Sequence, residues 1–198
     1  VPEPVFFYDF SSPYAYLAAH RIDDTLPVRP RWQPILYASL LRKIGKVPWS
    51  MRPGAERDAQ MRECEEQAAG LGLPLQWPRG WPAETYSLVV LHAAVVAAEL
   101  GLVREFSLAA YRQGFGLGQD LTDIDVVLEA ADEAGADRVA LREGIERADV
   151  EVRLRRVTDD ARELGVTGIP TVCVDGALYW GNDRLEAAAA ALAGAAPA

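Results

Sequence analysis

Phe7-Tyr8-Asp9-Phe10-Ser11-Ser12-Pro13-Tyr14-Ala15-Tyr16-Leu17 passes from an apolar run through a polar turn into a second apolar run, and its reading decides the fold. Val5 to Phe10, rich in aromatic and apolar residues, reads as a buried strand. Ser11-Ser12-Pro13 is a turn, and Tyr14 to about Ile22 reads as an apolar helix. Proline suits a first helical turn, where its missing N–H costs nothing, and a serine just before it is a natural N-cap. A helix starting here aims unpaired N–H groups and a partial positive charge at whatever occupies the turn. A thiolate suits such a place, and so does a plain structural cap.

Working outward, Val28 to Pro34 supplies a second short strand broken by Pro30, followed from Leu36 to Leu41 by the start of a less regular segment carrying Lys43, Gly45, Lys46 and Pro48. Ala55 to Gly70 reads as a helix closed by Gly70 and Gly72, with Pro74 beyond. Gln76 to Ala83 is a Pro- and Trp-rich loop. Further helical patterns cover about Tyr86 to Leu100, Val103 to Gln113, Ile124 to Ala134, Asp137 to Ala148 and Asp149 to Leu164. At the far end, Thr171 to Asp175 and Leu178 to Trp180 flank Asp175-Gly176 as a β-hairpin before an Ala-rich helix and a frayed tail after Leu192. The ends therefore read β-α-β and β-β-α with a helical middle. The expected class is α/β in one compact unit, with a core from approximately 1–50 and 150–198 and a helical insertion over approximately 51–149.

With 198 residues, half of them hydrophobic, the chain can bury a full core. Lys+Arg 20 against Asp+Glu 29 gives a net charge of -9, which opposes a nucleic-acid partner. The most basic stretch, Arg153 to Arg156, lies between Glu151 and Asp159 and reads as a solvated helix face. Neither a signal-peptide pattern nor a membrane-length apolar run is seen, so a cytoplasmic protein is expected. Cys64 and Cys173 have no CxxC partner; Cys173 reads as a small core residue and Cys64 as a free thiol that could be exposed. With His20 and His92 scattered, no metal site is expected.

The Phe7 to Leu17 run resembles the opening of the 2-hydroxychromene-2-carboxylate isomerases and kappa-class glutathione transferases, in the DsbA-like branch of the thioredoxin superfamily. Gly165-Val166-Thr167-Gly168-Ile169-Pro170-Thr171 resembles that superfamily's cis-proline loop. Trp180-Gly181-Asn182-Asp183-Arg184-Leu185 is similar to the signature before the last helix of these families. The three motifs occur in family order over nearly the whole chain. The resemblance implies a thioredoxin-like fold carrying a helical insertion, with Ser12 as the catalytic position, replacing the redox cysteine and hydrogen-bonding the sulfur of glutathione. By the same resemblance Pro170 sits opposite Ser12, Ile169 offers its backbone to the cysteinyl part of glutathione, and Asn182 and Asp183 form the γ-glutamyl pocket. A serine cannot form a mixed disulfide, which argues against disulfide exchange.

Arg62, ahead of Gly72-Leu73-Pro74, matches the spacing of a family cation that reaches the glycyl carboxylate, and reads equally well as a surface arginine. Lys46 stands where these families often carry asparagine, so an ammonium there either meets a carboxylate or enolate of the second substrate or points into water. Ser11 and Trp49 are further substrate-binding candidates, and Trp49, Trp77, Trp81 and Tyr86 either line an aromatic pocket or are ordinary core and loop residues. Asp120-Leu121-Thr122-Asp123 resembles a further segment of these families and reads as a cap for the following helix, a structural role as readily as a functional one. The leading expectation is a glutathione-dependent isomerase of a small aromatic or conjugated carboxylate, commonly dimeric in the families it resembles. The rivals are a kappa-type transferase and a non-catalytic thioredoxin-like binding protein.

Overall fold

The computed structural model describes residues 3–194. Four strands, β1 (Val5–Tyr8), β2 (Arg31–Pro34), β3 (Thr171–Val174) and β4 (Ala177–Trp180), form one sheet in the order β2-β1-β3-β4. β1 runs parallel to β2, with Phe6 opposite Trp32, and antiparallel to β3, with Phe6 opposite Val172. The β3–β4 hairpin closes through Asp175 and Gly176, both at positive φ (48° and 81°), as a tight two-residue turn requires.

Successive side chains of a strand face opposite ways, and both faces of β1 are covered. Phe6 and Tyr8 stack at 5.2 Å and meet the edge of Trp32, facing a cluster that includes Leu91, Phe106 and Tyr111. Phe7 points the other way, to Ile35, Leu40, Val166 and Ile169. The helices between the strands are α1 (Pro13–Ala19), the short α2 (Ile22–Thr25), α3 (Tyr37–Ile44), α4 (Ala55–Gly70), α5 (Leu88–Glu99), α6 (Val103–Tyr111), α7 (Ile124–Glu133), α8 (Arg138–Ile145) and α9 (Ala148–Glu163). The sheet is thus built wholly from the two ends of the chain, and the cluster on its Phe6 face runs without a break into α5, α6 and α7.

Several elements differ from the sequence expectation. The first helix stops at Ala19, and Arg21, whose side chain donates to Asn182, stands at the N-cap of the separate α2. The segment expected to be irregular after Leu36 is the helix α3, capped from a distance by Asp9 and closed by Gly45 at φ 67°. The helix expected to reach Gln113 becomes a π turn over Arg112–Gly116. Cys64 is fully buried rather than exposed, because α4 turns it inward against Tyr14 of α1. The basic face of α9 is laced with ion pairs, among them Arg153 to Asp149 at 3.1 Å and Arg155 to Glu151 at 2.6 Å. The last helix, α10 (Leu185–Gly194), outlasts the expected fraying point, and the rest of the expected tail, 195–198, lies outside the described residues. Among the described residues no helix is long and apolar enough to cross a membrane, and no cluster of His, Cys, Asp or Glu could hold a metal ion.

Candidate active site

A cleft of about 780 Å³ opens where β1 ends and α1 begins. Ser12 is the N-cap of α1: the Ala15 N–H donates to Ser12 Oγ at 3.2 Å, and Pro13 follows at the first helical position. That contact uses an oxygen lone pair and leaves the hydroxyl proton free to donate. Ile169 and Pro170 line the opposite wall, joined by a cis peptide bond. The Trp180 indole packs directly on Gly168, where a Cβ would overlap it unless the indole moved aside.

One end of the cleft is polar. Asn182 and Asp183 lie in the 3-10 turn Asn182–Arg184 that leads into α10, and both line the wall. The buried Asn182 side chain is already engaged: its amide donates to Gln67 Oε1 at 2.8 Å, and Arg21 donates to its Oδ1 at 3.1 Å. Arg21 also pairs with Glu186. What remains for a ligand is the exposed Asp183 carboxylate and the N–H groups that open the turn.

The other end is aromatic. Trp49 lies 5.9 Å from Tyr14 and 5.8 Å from Trp81, ring centre to ring centre. Trp81 in turn packs against Trp77, tilted by 37° with ring centres 4.6 Å apart, and donates its indole N–H to the Ser11 carbonyl at 3.1 Å. Trp77 therefore backs the wall without lining it, whereas Tyr86 lines it. Lys46 and Arg42, from the C-terminal end of α3 and the loop after it, bring two cations to the mouth.

Of the residues singled out from sequence, Ser11, Ser12, Lys46, Trp49, Ile169, Pro170, Asn182 and Asp183 meet at this one cleft. Arg62 does not. The cleft face of α4 carries Gln60, Glu63 and Gln67, and at 3.6 residues per turn Arg62 projects from the opposite side into solvent. Asp120 to Asp123 caps α7 through Asp123, which accepts the Asp125 N–H at 2.9 Å.

Asp9 was missed. It is fully buried beneath Ser11, accepting the Ser11 N–H at 2.9 Å and the Tyr37 N–H at 2.8 Å. Burial raises its pKa above 3.8, while hydrogen bonds from Ser11, Ser87 and Tyr37 pull the other way. The available signal was an aspartate two positions before a serine at a strand end, the pattern of a side chain that binds its own backbone two residues on. Gln67 carries no local signal.

A family model described as a DSBA-like thioredoxin domain matches residues 5–193. The chain belongs to that family. Within it, the chain is similar to the 2-hydroxychromene-2-carboxylate isomerase of Sphingobium xenophagum, 29% identical over 91% of this chain and 93% of that protein. A protein of the same name from Pseudomonas putida is 26% identical over 91% of this chain and 89% of its own length. Among solved structures, a 2-hydroxychromene-2-carboxylate isomerase superposes with a TM-score of 0.84 at 22% identity, covering 96% of this chain and 94% of that one. The cytosolic disulfide reductase DsbM from Pseudomonas aeruginosa shares the DSBA-like fold at a TM-score of 0.66 and 19% identity, covering 98% and 100%. Both cysteines of the present DSBA-like chain are free and buried, and burial pushes the Cys64 thiol up to about 12.

Proposed function

We propose that this chain is a glutathione-dependent isomerase of 2-hydroxychromene-2-carboxylate or a closely related aromatic carboxylate, with Ser12 holding the glutathione thiolate. The observation that carries the reading is the Ser12 hydroxyl: its oxygen accepts from Ala15 N–H, so its proton is free at the positive end of α1. A donor so placed, at the positive end of the helix dipole, lowers a thiol's pKa from about 8.5 toward neutrality. The extent of the likeness to the Sphingobium and Pseudomonas isomerases, 91% of this chain in both cases, supports the reaction class.

The residues present fit the tripeptide. The cleft volume of about 780 Å³ lies within the usual range of roughly 300–1,000 Å³ for small-molecule sites. Its polar end offers Asp183 to an α-amine and the N–H groups of the Asn182 turn to an α-carboxylate. When bound, glutathione would supply a thiolate nucleophile that can add reversibly to a conjugated double bond. The chain's own residues do the rest. Ser12 holds the sulfur, Ile169 and Pro170 flank it, Trp49 and Trp81 exclude water from the substrate ring, and Lys46 takes the substrate carboxylate.

The test is to follow the absorbance of 2-hydroxychromene-2-carboxylate with enzyme, with and without reduced glutathione, and to repeat it with Ser12→Ala. Turnover should require the thiol and fall by about 100-fold or more in Ser12→Ala, the usual effect of removing one donor to a developing anion. Equal turnover without thiol would overturn the glutathione reading. Accumulation of a stable conjugate would instead make the chain a transferase.

A further inference from the structure

Asp9 is the only carboxylate, among the described residues, in the buried interior. Its two oxygens face donors alone. The Ser11 N–H reaches one oxygen at 2.9 Å and the Tyr37 N–H the other at 2.8 Å, and the hydroxyls of Ser11 and Ser87 lie close enough to favour the charged carboxylate. Its main chain takes part as well, because the Asp9 carbonyl accepts from the Ser12 N–H at 3.3 Å and from the Tyr111 hydroxyl at 3.2 Å.

Two of these contacts are hard to explain as ordinary secondary structure. Ser87 stands at the N-cap of α5, yet its side chain caps nothing there. α3 has no cap of its own, and its first N–H is satisfied by Asp9, 28 positions upstream. On its far side the Ser11–Ser12 turn is tied by the Trp81 indole. An acceptor-only group is what two backbone donors on two different oxygens require, since an amide in its place would turn its NH2 toward one of those N–H groups.

We infer that Asp9 is a positioning residue, whose carboxylate gathers these donors so that the Ser11–Ser12 turn holds the Ser12 hydroxyl at the angle the thiol needs. The same carboxylate seats α3, whose far end brings Arg42 and Lys46 to the cleft. The inference rests on the role proposed above for Ser12.

A double-mutant cycle between Asp9→Asn and Ser12→Ala tests it, read out as kcat and KM for 2-hydroxychromene-2-carboxylate and as the pH at which bound glutathione gains thiolate absorbance. Asp9→Asn should lower kcat by about 100-fold, the scale of a small misplacement of a catalytic group. KM should stay within about threefold, the mark of an interaction made mainly in the transition state. Thiolate formation should move to higher pH. In the Ser12→Ala background the same change should cost almost nothing further, because a residue that acts through Ser12 has nothing left to act on. Losses that multiply in the double variant, or an unchanged kcat in folded Asp9→Asn, would overturn the inference. Should Asp9→Asn fail to fold, Ser87→Ala decides the matter by the same cycle, with a smaller loss that again vanishes without the Ser12 hydroxyl. If Ser12→Ala alone alters neither turnover nor thiolate absorbance, the proposed function itself falls, which is a different result from a harmful Ser12→Ala beside an independent Asp9→Asn.

Discussion

Asn182 and Asp183 are neighbours with opposite situations, one locked and one open. Asn182→Ala strands the Gln67 amide and an Arg21 contact in a half-buried network, and should cost about 1–3 kcal/mol in urea unfolding. Asp183→Ala removes an exposed carboxylate and should change stability by less than about 0.5 kcal/mol while weakening the thermal shift given by glutathione. Equal effects of the two on unfolding would contradict the network. The cysteines yield a second expectation at this scale. Both are buried, and the Cys64 thiol is held up to about 12 chiefly by desolvation, so neither should react with iodoacetamide in the native protein and both should do so after unfolding.

At the level of elements, caps separate structure from function. Asp137 accepts the N–H groups of Val139 and Ala140 at 2.9 and 3.1 Å, and Asp123 accepts that of Asp125, so Asp137→Ala or Asp123→Ala should each cost about 1 kcal/mol with turnover unchanged. Ser12→Ala should lose a similar amount of stability through Ala15 and, unlike those two, most of the turnover. The hairpin and the cis-proline loop are coupled through Trp180 on Gly168. Gly168→Ala pushes the indole aside, and because Trp180 is exposed the cost in chemical denaturation should stay below about 1 kcal/mol. The strand, the turn and the helix start at Ser12, and the whole of α4, were legible because their caps, stops and composition are local. The helix α3 was not, because the group that satisfies its first N–H comes from β1's end rather than from the residue before it.

Across the whole molecule, the buried Asp9 links stability to pH. Its carboxyl lies at about 3.8 when unfolded and is raised on folding, chiefly by burial. Between those two values the folded chain binds more protons, so this group's contribution is greatest below 3.8 and is lost as pH rises through the raised value. Unfolding free energies measured in urea across a pH series should therefore fall less steeply with rising pH in Asp9→Asn than in the wild type. A parallel pair of curves would show that Asp9 does not titrate between the folded and unfolded states. The sequence alone determined the four strands, most of the helices, the Ser12–Pro13 helix start and the Asp175–Gly176 hairpin, since each is written in adjacent residues whose backbone preferences and capping chemistry act locally, while most of the residues that meet at the cleft were named by the resemblance of three motifs to a known family. Tertiary structure alone decided which face of α4 the cleft sees, and so left Arg62 outside. It alone also tied Asn182 to Gln67, 115 positions away, and drew the Tyr37 N–H of α3 onto Asp9 beside that of Ser11. Those outcomes depend on how packed helices are rotated and on which polar groups are buried together, and no local stretch of chain carries that information.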